Sequence, residues 1–133
     1  TFEQPGAGWE TPGFDDSGWA AGKAPLGWPK LAFFPLGEPW KSKDIWVRRT
    51  FTVDRLPDKL WLKTLYLVGS ATVYINGKPV VELERLTRRH YHHIEISEHL
   101  DALKTGENTI AIHADKPRGD RAIDAGVYGV WTN

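Results

Sequence analysis

The hydrophobic pattern of the chain changes character at about position 45. From there Ile45, Val47, Phe51 and Val53 alternate with Trp46, Arg48, Thr50 and Thr52, the two-residue period of a strand with unlike faces. Leu60 to Val68 is a second apolar, β-compatible run. Ala71 to Ile75 leads into Asn76-Gly77, the pair that best tolerates the positive φ angles of a tight hairpin turn, with Pro79-Val80-Val81 returning as its partner. Tyr91 to Ile96 is extended again. Ser97 then offers an N-cap for a short helical turn carrying Leu100 and Leu103 and closed by Gly106. Asn108 to Ala114 places Ile110 and Ile112 on one face, and Gly126 to Trp131 supplies a last strand. Before all of these, Thr1 to Asp44 is rich in Gly, Pro and Trp without a sustained period, and reads as loops wrapped over a core. Many short strands, clear turns and almost no helix predict an all-β fold, an antiparallel β-sandwich.

Composition narrows the function classes. A chain of 133 residues with 41% hydrophobic and 26% charged side chains has the size of a single domain with one core, taken as residues 1–133. Lys+Arg and Asp+Glu are both 17, so no overall field draws the protein to nucleic acid or an anionic membrane, and neither is expected as a partner. No apolar run reaches the roughly 18 residues of a membrane span, and no signal peptide is recognisable, so a soluble domain is expected. The absence of Cys excludes disulfides and thiolate metal sites. The chain starts at Thr1 and stops at Asn133 just after an apolar stretch, which reads as a piece of a longer polypeptide.

Phe14-Asp15-Asp16-Ser17-Gly18-Trp19 followed by Gly22-Lys23-Ala24-Pro25-Leu26-Gly27-Trp28 resembles the opening of galactose-binding-like domains attached to carbohydrate-active enzymes. Trp46 to Phe51, Ala71 to Val80 and Leu103 to Ala114 resemble three later motifs of those domains, in the same order. The sugar-binding domain of family 2 glycoside hydrolases carries a related pattern. The resemblance spans nearly the whole chain and implies a jelly-roll sandwich, a parent enzyme, and an extracellular or periplasmic location. It also raises a structural calcium, for which Asp15, Asp16, Asp124 and backbone carbonyls are the oxygen donors to consider. Where many relatives have Asp-Asp-Gly before the hairpin, this chain has Val68-Gly69-Ser70.

The candidate chemistry divides into ordinary and informative residues. Asp15 and Asp16 precede Ser17-Gly18 and read as a turn in which a carboxylate caps backbone N–H groups, in preference to a general acid and base. His90 and His92 have the spacing of ligands on one strand face, but a zinc site needs more, and His113 or Asp115 would have to come from afar. His92 is in phase with Ile94 and Ile96 and reads as packed on the core. Arg118-Gly119-Asp120 is read as part of a charged loop with Arg121 and Asp124. No metal site is assigned.

The seven tryptophans are more than a core of this size requires. Trp9, Trp19 and Trp131 read as structural, whereas Trp28, Phe33, Phe34 and Trp40 lie in a Pro/Gly-rich loop that can present flat rings to a ligand. A sugar has an apolar C–H face and a hydroxyl rim, so recognition needs an aromatic platform with a few fixed donors and acceptors. Trp28, Trp40, Trp46, Arg48 and His113 are the carbohydrate-binding candidates. The competing reading covers Trp46 with the wrapping segment and pairs Arg48 with an acid such as Asp44.

Two functions follow from the resemblance. One is a non-catalytic carbohydrate-binding module of a polysaccharide-degrading enzyme, with glycan as partner. The other is a structural domain packed against the catalytic domain of the parent chain. No catalytic residue is assigned: no nucleophile and base pair is identifiable, and no Gly-x-Ser-x-Gly elbow occurs.

Overall fold

The alternating segments become two packed sheets. In the computed structural model, residues 1–22, 24, 26–28, 38–84, 91–116 and 118–132 are described. They form β1 (Leu26–Trp28), β2 (Glu38–Pro39), β3 (Asp44–Val53), β4 (Lys59–Leu67), β5 (Ser70–Ile75), β6 (Lys78–Glu84), β7 (His92–Glu95), β8 (Gly106–Asp115) and β9 (Arg121–Val130), with a short 3-10 helix at Ser97–Ala102. One sheet has the order β2-β1-β9-β4-β7 and the other β3-β8-β5-β6. Neighbouring strands are antiparallel except for the short β1 and β2, which pair in parallel. The expected β-sandwich is present, and its core is built from inward residues of both sheets, among them Ile45, Leu62, Val73, Ile112 and Ile123.

The Asn-Gly turn has φ of 50° at Asn76 and 85° at Gly77, the conformation that a two-residue hairpin requires. Asn76 also ties this hairpin to the start of β8. Its side-chain amide donates to the Ala102 carbonyl and to Asn108 Oδ1, while its Oδ1 accepts from the Thr109 N–H. Asn108 is fully buried, and it donates to the carbonyls of Lys104 and Gly106 and accepts from the Lys104 N–H. Two motif residues thus satisfy one another and the backbone around them, which is what a buried amide demands.

Two boundaries differ from the sequence reading. The last strand begins at Arg121, five residues before Gly126, and leaves Trp131 outside. Ser97 does not cap the helical turn: the N-cap position is Ile96 and no side chain caps it. The Ser97 hydroxyl instead accepts from the Leu60 N–H and donates to Glu95, joining the turn to β4. Gly106, with φ of 91°, opens β8, and Leu103 ends the turn.

Of the segment expected as loops from Thr1 to Asp44, residues 1–16 lie on the outer face of the four-stranded sheet, whereas Leu26–Trp28 and Glu38–Pro39 are strands of the other sheet. Trp9 packs on Tyr74 at 5.5 Å between ring centroids. The Thr11 methyl carbon is 3.1 Å from where a Cβ on Gly77 would stand. Thr1 exchanges two backbone hydrogen bonds with Trp46, extending the sheet beyond β3.

Candidate functional site

Register places Trp46, Arg48 and His113 on the same outer sheet face, as the alternation predicts. Trp46 is opposite His113, and Arg48 opposite Ala111. That face is covered at Trp46 and Arg48, while the His113 side chain stays 37% exposed. Trp46 is 7% exposed, and its ring lies parallel to the His113 imidazole at 4.5 Å. His113 Nε2 is 2.9 Å from Asp44 Oδ1, so Asp44 holds the histidine and not Arg48.

Arg48 has a side chain only 4% exposed. Its Nε donates to Asp16 at 2.9 Å, and its two terminal nitrogens donate to the carbonyls of Trp9, Thr11 and Phe14. It also lies 5.4 Å from the centre of the Phe14 ring. The guanidinium is therefore spent on holding residues 9–16 against the sheet.

Trp40 is 0% exposed and belongs to the core cluster, so its ring offers no face to a ligand. Above it, at 5.8 Å, sits the guanidinium of Arg121. Arg121, expected as a loop charge, is itself buried and donates to the carbonyls of Lys41, Ser42 and Gly119. Burial of the indole under a cation satisfied by backbone carbonyls replaces the expected exposed platform. Trp28 ends β1 opposite Arg121, and its side chain lies outside the described part of the structure, as do Phe33, Phe34 and His90.

A different surface carries open aromatic and polar groups. On the outer face of the five-stranded sheet, Lys63 of β4 is opposite both Gly126 of β9 and His93 of β7, and Trp61 is opposite Tyr128. Trp61 and Tyr128 stack at 6.3 Å with nearly parallel rings, and the Tyr128 hydroxyl is 2.9 Å from His93 Nδ1. Tyr91 stands beside them with the Lys63 ammonium 5.0 Å from its ring centre. The Tyr91 hydroxyl donates to Asp124. Burial, then that hydrogen bond and the carboxylate's charge, raise the Tyr91 pKa, so the phenol keeps its proton and remains the donor.

Arg49, Lys63, Tyr91, Asp124, Gly126 and Tyr128 contribute to the lining of a pocket of about 300 Å³. Gly126 is what leaves it open: a Cβ built there meets nothing within 4 Å, in the middle of an otherwise regular strand. Arg49 reaches the same pocket from β3 in the other sheet, on the opposite side of its strand from Arg48. Apart from Asp124, considered as a calcium donor and a loop charge, none of these residues is among the sequence's site candidates, which lie in the tryptophan-rich loop and on β3 and β8. The signal that could have found them is the alternation of Trp61 and Lys63 with Leu60 and Leu62, which puts an aromatic and a cation on one outward face.

The other sequence candidates are used locally. Asp15 accepts from the Ser17 N–H at 3.0 Å, as the turn reading expects, and this bonding to Ser17 holds its pKa below the ordinary value. His92 packs inward on Tyr66 at 5.6 Å. The donors considered for calcium do not come together: Asp16 serves Arg48 over one sheet, while Asp124 faces outward from the other. Among the described residues no group of three His, Asp or Glu is placed to hold a metal ion.

No known family profile matches the chain, and neither does any curated protein sequence. Solved structures do. The chain is similar to a β-glucuronidase from Bacteroides uniformis at 22% identity and TM-score 0.60, over 92% of this chain and 16% of that one. It is similar to Bacteroides uniformis β-glucuronidase 2 at 23% identity and TM-score 0.60, over 91% and 16%. A β-glycosidase from Bacteroides vulgatus matches at 16% identity and TM-score 0.55, over 92% and 18%. What is shared is the fold, a β-sandwich that makes up about one sixth of each of these much longer glycoside hydrolase chains.

Proposed function

We propose that the chain is a non-catalytic accessory domain of a glycoside hydrolase and binds carbohydrate on the outer face of its five-stranded sheet. The observation that carries this reading is the pocket over Gly126, where the rings of Tyr91 and Tyr128 stand beside the charged groups of Arg49, Lys63 and Asp124. Rings supply contact for a sugar's C–H face, and the charged groups supply donors and an acceptor for its rim. Glycoside hydrolysis ordinarily needs two carboxyl groups across the scissile bond, and the described pocket residues provide only Asp124, already engaged by Tyr91. Likeness in fold to one sixth of glycoside hydrolase chains supports the accessory role.

The test is a glycan array and affinity-gel screen of the 133-residue chain with Tyr128→Ala and Gly126→Val. Tyr128→Ala should weaken retention about 2- to 10-fold, the scale of one aromatic contact. Gly126→Val should abolish it without loss of stability, because the new side chain enters open space on a strand that gains from losing glycine. A chain that retains no glycan, or a Gly126→Val variant that binds undiminished, overturns the reading.

A second reading rests on another surface. Leu56, Val130 and Trp131 are all more than a third exposed near the β4 and β9 ends, where Trp131 Nε1 donates to the Arg55 carbonyl. Such an apolar cluster suits a covering domain of the same polypeptide. If that contact is the main function, the glycan screen is blank, while Leu56→Asp weakens association with the catalytic domain.

A further inference from the structure

The charges of the pocket select among sugars. Arg48 and Arg121 have their donors occupied by carbonyls and, for Arg48, a carboxylate. Arg49 is exposed and makes no hydrogen bond or ion pair with any described residue, yet it lines the pocket wall. Lys63 is steered by the Tyr91 ring and has no ion pair among the described residues. The one carboxylate among the described lining residues, Asp124, accepts the Tyr91 hydroxyl. Among the described lining residues, two cations against one acid give a net charge of +1.

From this arrangement we infer that the pocket takes a sugar bearing an anionic group, a carboxylate or a sulfate ester, which is held by Arg49 and Lys63 while the ring lies over Gly126 beside Tyr91 and Tyr128. The inference rests on the carbohydrate reading of this pocket and adds its ligand class. A guanidinium offers a planar fork of donors that matches either anion, and the neighbouring ammonium adds a point charge. A neutral sugar in the same place removes water from two cations and gives them nothing of opposite charge in return. That cost sets the preference.

The experiment pairs anionic oligosaccharides with their carboxyl-reduced or desulfated counterparts on one array, followed by titration calorimetry of the best pair. The expected result is that removing the anionic group weakens binding about 10-fold or more, the scale of hydrogen bonds to a charged group. Arg49→Gln and Lys63→Gln should each erase much of that difference while leaving the melting temperature unchanged, and the anionic ligand's affinity should fall as salt rises. Carboxyl reduction and desulfation, read separately, show which anion is preferred. Equal binding of charged and uncharged partners, or an acid preference that survives in the double variant Arg49→Gln/Lys63→Gln, overturns the inference and leaves the carbohydrate reading standing. A chain that retains neither kind of glycan overturns both.

Discussion

Arg48→Met tests whether one side chain holds the N-terminal segment to the sandwich. The guanidinium is 4% exposed and serves Asp16 and three backbone carbonyls, and methionine replaces its stem while deleting every donor. Leaving three partly buried main-chain carbonyls without their donor costs about 1 kcal/mol or more each, about 3 kcal/mol together, a large share of the roughly 5–15 kcal/mol that a domain of this size possesses. The ion pair alone does not account for this, because Asp16 is 48% exposed and an exposed pair contributes about 0–1 kcal/mol. Asp16→Asn should therefore lie within about 1 kcal/mol of the wild type, and the difference between the two variants measures the carbonyl contacts. Urea titration followed by tryptophan fluorescence gives both numbers. If residues 1–22 leave the sheet in Arg48→Met, less surface remains to be exposed on unfolding and the urea m-value falls as well. Limited proteolysis should then cut within this segment before the rest of the chain. A variant within about 1 kcal/mol of wild type, with an unchanged m-value and a protected N-terminal segment, refutes the reasoning.

Two further outcomes follow from groups described above. Asn108→Ala deletes an amide that serves Asn76 and the Lys104 and Gly106 backbone from a fully buried position, and should cost about 2–4 kcal/mol in urea denaturation, since it strands several buried partners at once. The Thr132 backbone N–H, and then its hydroxyl, hold the Asp58 pKa below its ordinary value of 3.8. A depressed folded-state pKa gives stability that is present above the unfolded value and is lost as pH falls through the folded one. Thermal stability measured from pH 7 downward should thus decline below about pH 4, with a shallower decline in Asp58→Asn.

The parts of the fold that the sequence made legible are those written in local chemistry. β3 alternates because its two faces meet different surroundings, and Asn76-Gly77 marks the turn between β5 and β6 because few other pairs accept two positive φ angles. The site was much less legible. Trp46 and Arg48 do face outward, but Arg48 is covered by residues 9–16, more than thirty positions away, and Trp46 by the His113 ring of another strand, and nothing in β3's own pattern reveals either. Trp40 sits among Gly and Pro and looks exposed, yet its environment is set by Arg121, from the start of β9. The open pocket depends on a missing side chain at Gly126 and on pairings such as Lys63 with Gly126 and Tyr91 with Asp124. Such pairings become visible only once strand order and register are known.

The two buried arginines bind mostly to main-chain oxygens. Arg48 uses the carbonyls of Trp9, Thr11 and Phe14, and Arg121 uses those of Lys41, Ser42 and Gly119. Every amino acid supplies a carbonyl, so these two clasps specify the path of the covering segments and hardly constrain their spelling. A polypeptide fastened in this way can exchange most letters of its outer turns and still close over the same sheets. That tolerance fits a chain whose architecture is recognisable at about one residue in five shared, while no sequence profile claims it.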